Sequence, residues 1–233
     1  MISFKSKNKY KSNMIKKFFN LILYILRYFS IINNYNYSVS KKIRFGSKKA
    51  DHYFIKMLKK TKFYLEYGSG SSTILAKNSK KNFLSIETDK SFFKYMRKLK
   101  IIEVIYSDIG PTKYYSFPLL PTLFLKGQIK KYANQTNTFY EKFNSLPDLI
   151  LVDGRFRVFV TLTVVDFFLK KNTNRDLTII IDDYKFRKNY HVLRKIVKVK
   201  LIGRLGIIYL NNKTKINLVK LNKLSKKFIY DFN

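Results

Sequence analysis

The 233-residue chain contains no cysteine and no tryptophan. Without cysteine there is no disulfide, no thiolate metal site and no cysteine-nucleophile mechanism. The same absence suits a reducing compartment. Acid is scarce too: 14 Asp+Glu stand against 48 Lys+Arg, a formal net charge of +34. Histidine occurs only as His52 and His191, and all four prolines fall between positions 111 and 147. A membrane-spanning helix needs about 20 apolar residues. The longest candidate, FFNLILYILRYFSII at 18–32, is shorter and is broken by Asn20 and Arg27.

The basic excess has two readings. One is a polyanionic partner, either nucleic acid or an anionic membrane surface. The other is codon bias, because Lys, Asn, Ile, Phe and Tyr are all abundant and the lysines are spread rather than clustered. Scarcity makes the acids informative. Half of the 14 fall at expected strand ends: Glu66, Glu87, Asp89, Asp108, Asp153, Asp182 and Asp183.

The length and a 46% hydrophobic content fit one domain with appendages. A basic, apolar arm spans 1–45, a domain spans 46–211, and a basic tail spans 212–233. Lysines precede the apolar run of the arm as in a signal peptide, but Arg27 interrupts it and no small-residue cleavage site follows. The arm therefore reads as a helix that packs on the domain or lies on a membrane surface. A cytoplasmic setting is expected, with peripheral membrane contact through the arm as the alternative.

Within the domain, apolar stretches at 63–67, 82–86, 101–106, 148–152 and 177–181 predict buried parallel strands. Segments at 71–80, 89–99, 122–133, 155–171 and 187–196 are long enough for helices between or after them. The 155–171 segment is rich in β-branched residues, which favours strand. A parallel strand at 177 needs a crossover before it, which favours helix. Strands near 197–203 and 206–211, with Gly203 and Gly206 at a short turn, predict an antiparallel hairpin at one edge. The whole reads as an α/β sheet. The interval 107–147 reads as a substrate lid or a surface insertion.

The stretch FYLEYGSGSST, at 63–73, carries the main signal. Gly68 and Gly70 allow a sharp turn and close ligand approach. The following helix start offers free N–H groups. Glu87 ends the next expected strand, 19 residues beyond Gly68, where an acid can accept from two ribose hydroxyls. A dinucleotide loop prefers a third glycine, and Thr73 stands in that place. S-Adenosylmethionine has no phosphate, and its loop needs an acid before the first glycine. Glu66 is that acid.

Glu66-Tyr67-Gly68-Ser69-Gly70 resembles the first motif of class I S-adenosylmethionine-dependent methyltransferases. Glu87 in SIETD resembles their ribose-binding acid, and Asp108 in YSDIGPT falls where the family places an adenine contact. The resemblance covers roughly residues 63–190. It implies a Rossmann-like, mostly parallel seven-stranded sheet with helices on both faces and a reversed last strand. It also implies a cofactor set of Glu66, Gly68, Ser69, Gly70, Ser72, Glu87, Asp108 and Asp153. The pairing of SDIGPT with LVDGRFRV is similar to a bacterial group of this fold that brings no known substrate. Asp89 reads as a helix N-cap.

Asp153 ends PDLILVD, and Asp182 and Asp183 end LTIIIDD. If those strands are neighbours, three carboxylates converge at the carboxyl edge of the sheet. Like charges that close want a counter-charge. Mg²⁺ would supply it and would lower the pKa of an acceptor hydroxyl. The spacing resembles metal-dependent O-methyltransferases of the catechol and macrocin types. That implies Asp153, Asp182 and Asp183 as ligands, with Asp153 and Asp183 catalytic. The sequence Gly154-Arg155-Phe156-Arg157 departs from their pattern. Arg155 and Arg157 offer two alternatives: internal ion pairs with the acids, or bidentate binding of an anionic substrate. Arginine at a helix start opposes the helix dipole, so something must favour it there. Tyr184, Lys185 and Arg187 are expected along the same edge. Arg155, Arg157 and Tyr184 read as substrate contacts. Lys185 reads as a general base if desolvation lowers its pKa, and as a solvated lysine otherwise. His52 and His191 read as helix-surface residues.

No Asn/Asp-Pro-Pro-aromatic motif follows the fourth strand, and there is no cysteine for cytosine-C5 methylation. Both count against a base methyltransferase. The expected activity is O-methylation of a small-molecule or glycan hydroxyl. RNA binding, RNA 2′-O-methylation and a non-catalytic member of the fold remain as alternatives.

Overall fold

A computed structural model describes residues Phe18, 21–22, 37–40, 42–113, 116–118, 121–171 and 174–232. The apolar run at 18–32 lies almost wholly outside the described residues, and so does the expected arm helix. Among the described residues, no helix is long and apolar enough to cross a membrane.

The main sheet is built from β1 (Phe63–Tyr67), β2 (Asn82–Glu87), β3 (Val104–Tyr106), β6 (Leu149–Val152), β7 (Leu177–Ile181), β8 (Lys200–Ile202) and β9 (Leu205–Leu210). Two short strands, β4 (Thr112–Lys113) and β5 (Phe117–Pro118), form a separate antiparallel pair. The main sheet has the order β3-β2-β1-β6-β7-β9-β8. The first five strands are parallel, and β9 runs antiparallel to both its neighbours. This is the expected seven-stranded α/β sheet with a C-terminal hairpin. Chain order reverses between β1 and β6, which opens a crevice at their carboxyl ends.

Register aligns the site. Tyr67 pairs with Ile86 on one side and Val152 on the other, and Val152 pairs with Ile181. Gly68, Glu87, Asp153 and Asp182 each follow one of these residues, so they share one row. The ladder continues into that row. Gly68 N donates to the Ile86 carbonyl at 2.8 Å, Asp153 N to Tyr67 at 2.9 Å, and Asp182 N to Val152 at 3.1 Å.

The central strands are buried on both faces. Leu65, Ile150, Val152, Ile179 and Ile181 join one core, while Tyr64, Leu149, Leu151 and Ile180 join the other. Helices α1 (Lys48–Lys60), α2 (Ser71–Asn78) and α3 (Lys90–Lys98) contribute Phe54, Ala76 and Met96 to the second core. Helices α4 (Lys126–Ala133), α5 (Gln135–Phe143), α6 (Arg157–Lys171) and α7 (Leu218–Phe228) contribute Ile129, Phe139, Val164 and Leu221 to the first.

Helix α6 forms despite its β-branched residues. Burial of Val158, Val160, Leu162, Val164, Val165 and Phe168 outweighs propensity. Thr161 and Thr163 return their hydroxyls to the carbonyls four residues back, at 2.8 and 2.9 Å. Three details differ from expectation. The segment 187–196 is a 3₁₀ helix at Lys188–Lys195 rather than an α-helix. The interval 107–147 holds the β4–β5 pair, a 3₁₀ turn at Thr122–Leu125, α4 and a second helix, α5. Position 101 is not yet strand, because β3 begins at Val104.

Candidate active site

A cleft of about 770 Å³ opens over the carboxyl ends of β1, β2, β6 and β7. Gly68–Gly70, Glu87–Asp89 and Phe92 line one half, and Asp153, Arg155, Asp183 and Arg187 line the other. Tyr37–Ser40 also line it. Tyr37 packs on Phe92 and Tyr95, with ring centroids 5.3 and 5.7 Å apart.

The two glycines of the loop do different jobs. Gly68 has φ +98°, and a Cβ there would lie 2.8 Å from Gly154 N and 2.9 Å from the Asp153 carbonyl carbon. The loops after β1 and β6 therefore cross too closely for any side chain. Gly70 is extended, and a Cβ there would meet nothing within 4 Å. It leaves open space beside the cleft.

Glu66 lies fully buried beneath this loop. It accepts from Tyr64 Oη at 2.7 Å, from Ser72 Oγ at 2.6 Å and from Thr73 Oγ1. Thr73 Oγ1 in turn accepts from Gly70 N at 2.8 Å. Burial raises the pKa of Glu66, and the hydroxyl donors oppose the rise. Glu66 and Ser72 do not line the cleft. The expectation that they touch cofactor directly is corrected: they brace the loop from below. Thr73 replaces a third glycine because its hydroxyl links Gly70 to Glu66.

Glu87 is at the cleft surface, although only 5% exposed. Its Oε2 accepts from Ser69 N at 3.1 Å, and its Oε1 accepts from Thr88 N and Asp89 N, each at 2.7 Å. Burial pushes its pKa up to about 7; the Asp89 charge adds to the rise, and the three amides oppose it. Ser116 Oγ also lies 3.5 Å from Oε1. Oε2 carries the Ser69 donor and keeps its second lone pair for a ligand hydroxyl. Asp89 caps α3 through Ser91 N and Phe92 N. Asp108 is exposed, accepts from Gly110 N at 2.8 Å and stands outside the cleft lining. In this structure it caps a tight turn.

The second acid cluster is held by arginines. Arg157 is 8% exposed. Its Nε donates to the Gly154 carbonyl at 3.0 Å. Its Nη1 donates to the Asp182 carbonyl at 2.8 Å and to Asp183 Oδ2 at 3.3 Å. Its Nη2 donates to the Asp153 carbonyl at 3.2 Å and pairs with Asp153 Oδ1 at 3.0 Å. A guanidinium has five N–H donors, and these contacts occupy the fork on all sides. Asp182 is clasped bidentately by Arg204, from the β8–β9 turn, at 2.6 and 2.7 Å. The metal expectation is thereby corrected. Asp153, Asp182 and Asp183 do not fit a divalent cation, because guanidinium groups occupy the places a cation would take. Among the described residues, no group of three His, Cys, Asp or Glu could hold a metal ion. Arg157 lines the cleft and clamps the acid cluster.

Asp153 keeps an open face, with its side chain 37% exposed toward the cleft. Its low-dielectric surroundings push its pKa up to about 7, with Asp182 and Asp183 adding to the rise and Arg157 opposing it. Arg155 also reaches the cleft, lying 3.8 Å over the Phe117 ring. Tyr184 does not. It is buried against Gly206, where a Cβ would come within 2.4 Å of its ring. Lys185 is exposed, 5.9 Å over the Phe186 ring and outside the cleft lining. Their expected substrate and base roles are corrected. His191 Nε2 lies 3.0 Å from the Tyr184 carbonyl and helps hold that turn, and His52 is exposed on α1.

Sequence reasoning missed Arg204, Phe117 and Tyr37–Ser40. The pairing of β7 with β9 brings Arg204 to Asp182, and no local motif announces it.

No family model matches the sequence, and no curated protein matches it. The structure is similar to the crystal structure of a methyltransferase-like protein from Silicibacter pomeroyi. The TM-score is 0.64 at 22% identity, covering 82% of this chain and 100% of that one. Together with the strand order, this likeness establishes a methyltransferase-like Rossmann fold.

Proposed function

We propose that this chain is an S-adenosylmethionine-dependent methyltransferase acting on a hydroxyl of a small molecule or glycan. The observation that carries the reading is Glu87 at the end of β2, facing the Gly68–Gly70 loop and bonded to its Ser69 amide at 3.1 Å. An acid so placed suits a ribose hydroxyl. Gly68–Gly70 and Glu87 would hold the cofactor, and Phe92 with Tyr37–Ser40 would enclose it on the β2 side. Bound S-adenosylmethionine supplies a methyl group on a sulfonium centre.

Asp153 is the residue placed to take the acceptor proton. It opens to the cleft, and a base with a pKa near 7 works well at neutral pH. Asp183 acts through Arg157, which pairs with the Asp153 carboxylate at 3.0 Å. The work of the chain is to align the hydroxyl and remove its proton.

The test is calorimetric titration of the folded protein with S-adenosylmethionine, for wild type and Glu87→Ala. Micromolar binding abolished by the substitution supports the reading. Absence of binding to folded wild type overturns it.

A further inference from the structure

The amino edge of the main sheet, opposite the cleft, is charged unevenly. The stretches leading into β1, β2 and β3, at 59–62, 77–81 and 97–103, hold nine Lys and Arg and one acid, Glu103. The stretches leading into β6 and β7, at 141–148 and 166–176, hold four Lys and Arg and four Asp and Glu. All five lie along one edge of the sheet, because these strands are parallel. A codon bias toward lysine would load both sets alike, whereas the excess sits at one end of the edge.

The three basic stretches form one surface. Lys81 Nζ donates to the Lys59 carbonyl at 2.8 Å, and Lys77 Nζ to the Leu99 and Lys100 carbonyls at 3.1 and 2.8 Å. Arg97 Nη1 donates to the Ile102 carbonyl at 2.8 Å. These contacts join the ends of α1, α2 and α3, where cations suit the helix dipoles. The other six cations are exposed. None of the nine forms an ion pair with a carboxylate among the described residues. Asp148 borders the patch, but its Oδ2 accepts from the Lys62 and Phe63 amides at 3.0 and 2.9 Å. Among the cations stand two bare aliphatic side chains, Leu99 at 40% and Ile102 at 68% exposure.

Aliphatic side chains among ammonium groups match the boundary of an anionic bilayer, where the first enter the acyl edge and the second meet the headgroups. RNA is met differently, by aromatic rings that stack on bases and by arginine forks. Here eight of the nine cations are lysines, and the one arginine is bonded to Ile102.

We infer that this edge docks on an anionic phospholipid surface. Docking there leaves the cleft, at the opposite edge of the sheet, open to water.

The chain has no tryptophan, so a single one reports its own surroundings. The test places it by Ile102→Trp, with Val219→Trp on α7 as reference, because Val219 is 80% exposed on the other face of the sheet. Emission is read with vesicles of phosphatidylcholine alone, or with roughly one part in three of phosphatidylserine. The expected result is that Ile102→Trp emission shifts blue and is quenched by brominated acyl chains in the anionic vesicles only. Val219→Trp emission stays put.

Cosedimentation of the full chain with the same vesicles gives the affinity, at an ionic strength that screens charges beyond about 8 Å. The triple variant Lys80→Gln, Lys98→Gln, Lys100→Gln, shown to be folded by its melting curve, should bind about 100-fold more weakly, at about fivefold per charge. Lys223→Gln, Lys226→Gln, Lys227→Gln on α7 removes the same charge and should bind like wild type. This control separates the patch from the net charge and from the apolar arm.

Equal weakening by the two triple variants overturns the inference, because net charge alone would then drive binding. So does Ile102→Trp emission that anionic vesicles leave unmoved. If the first triple variant instead loses binding to a single-stranded RNA oligonucleotide, with no blue shift on vesicles, the edge belongs to nucleic acid.

Discussion

The Ser69 amide donates to the Glu87 carboxylate across 3.1 Å, tying the loop after β1 to the end of β2. Glu87 thus shapes the loop and presents an acceptor to the cleft at once. Its pKa is lifted from an ordinary 4.5 to about 7. Ribose hydroxyls donate best to the ionised form, so binding releases a proton near neutrality. Affinity for S-adenosylmethionine should strengthen as pH rises through about 7 and then level off, as read by calorimetry at several pH values. Glu87→Gln should bind weakly and lose the step. The sign for stability is opposite. The folded chain keeps a proton that the unfolded chain has lost between pH 4.5 and about 7, so the Glu87 contribution falls as pH rises through that window.

Gly68→Ala and Gly70→Ala should separate folding from binding. A Cβ at Gly68 meets backbone at 2.8 Å in a left-handed conformation, whereas one at Gly70 meets nothing within 4 Å. Gly68→Ala should lose about 1–3 kcal/mol of stability in denaturant titration. Gly70→Ala should melt like wild type and lose cofactor affinity, because its methyl group occupies the ligand side.

Arg157→Met should be among the most damaging substitutions in the chain. It leaves Asp153 and Asp183 without their nearest cation. The carboxylates left behind are partly exposed, so the loss should fall below the about 3–5 kcal/mol of a fully buried pair and be measurable as a lower denaturation midpoint. Arg157→Lys should recover little, because one ammonium cannot reproduce a planar fork.

Mg²⁺ should change little. With Arg157 and Arg204 on the acid cluster, adding Mg²⁺ should leave the melting temperature of wild type unchanged. Methyl transfer should continue in a chelator. A chelator-sensitive activity restored by Mg²⁺ would show that the arginines yield to a metal during turnover.

The sheet was legible because each strand is a short apolar run and each crossover is long enough for a helix. Glu87 was legible because its distance from Gly68 follows from strand, helix and strand lengths. The role of Glu66 was not. A strand buried on both faces shows no alternation, so its sequence does not tell whether an acid points into the core or into the cleft. Lys185 and Tyr184 follow the acid pair closely, but the turn there, with Asp183 at φ +57°, sends Tyr184 inward and leaves Lys185 in solvent.

Local sequence is enough for the α/β order, the glycine loop and the row of acids at the strand ends. These depend on local spacing, apolar periodicity and the fixed rise of helix and strand. What neutralises those acids depends on long-range folding. Arg204 lies 22 residues beyond Asp182 and meets it only because β9 folds back along β7. Charge pairing at that range depends on which strands become neighbours, and no local spacing encodes it.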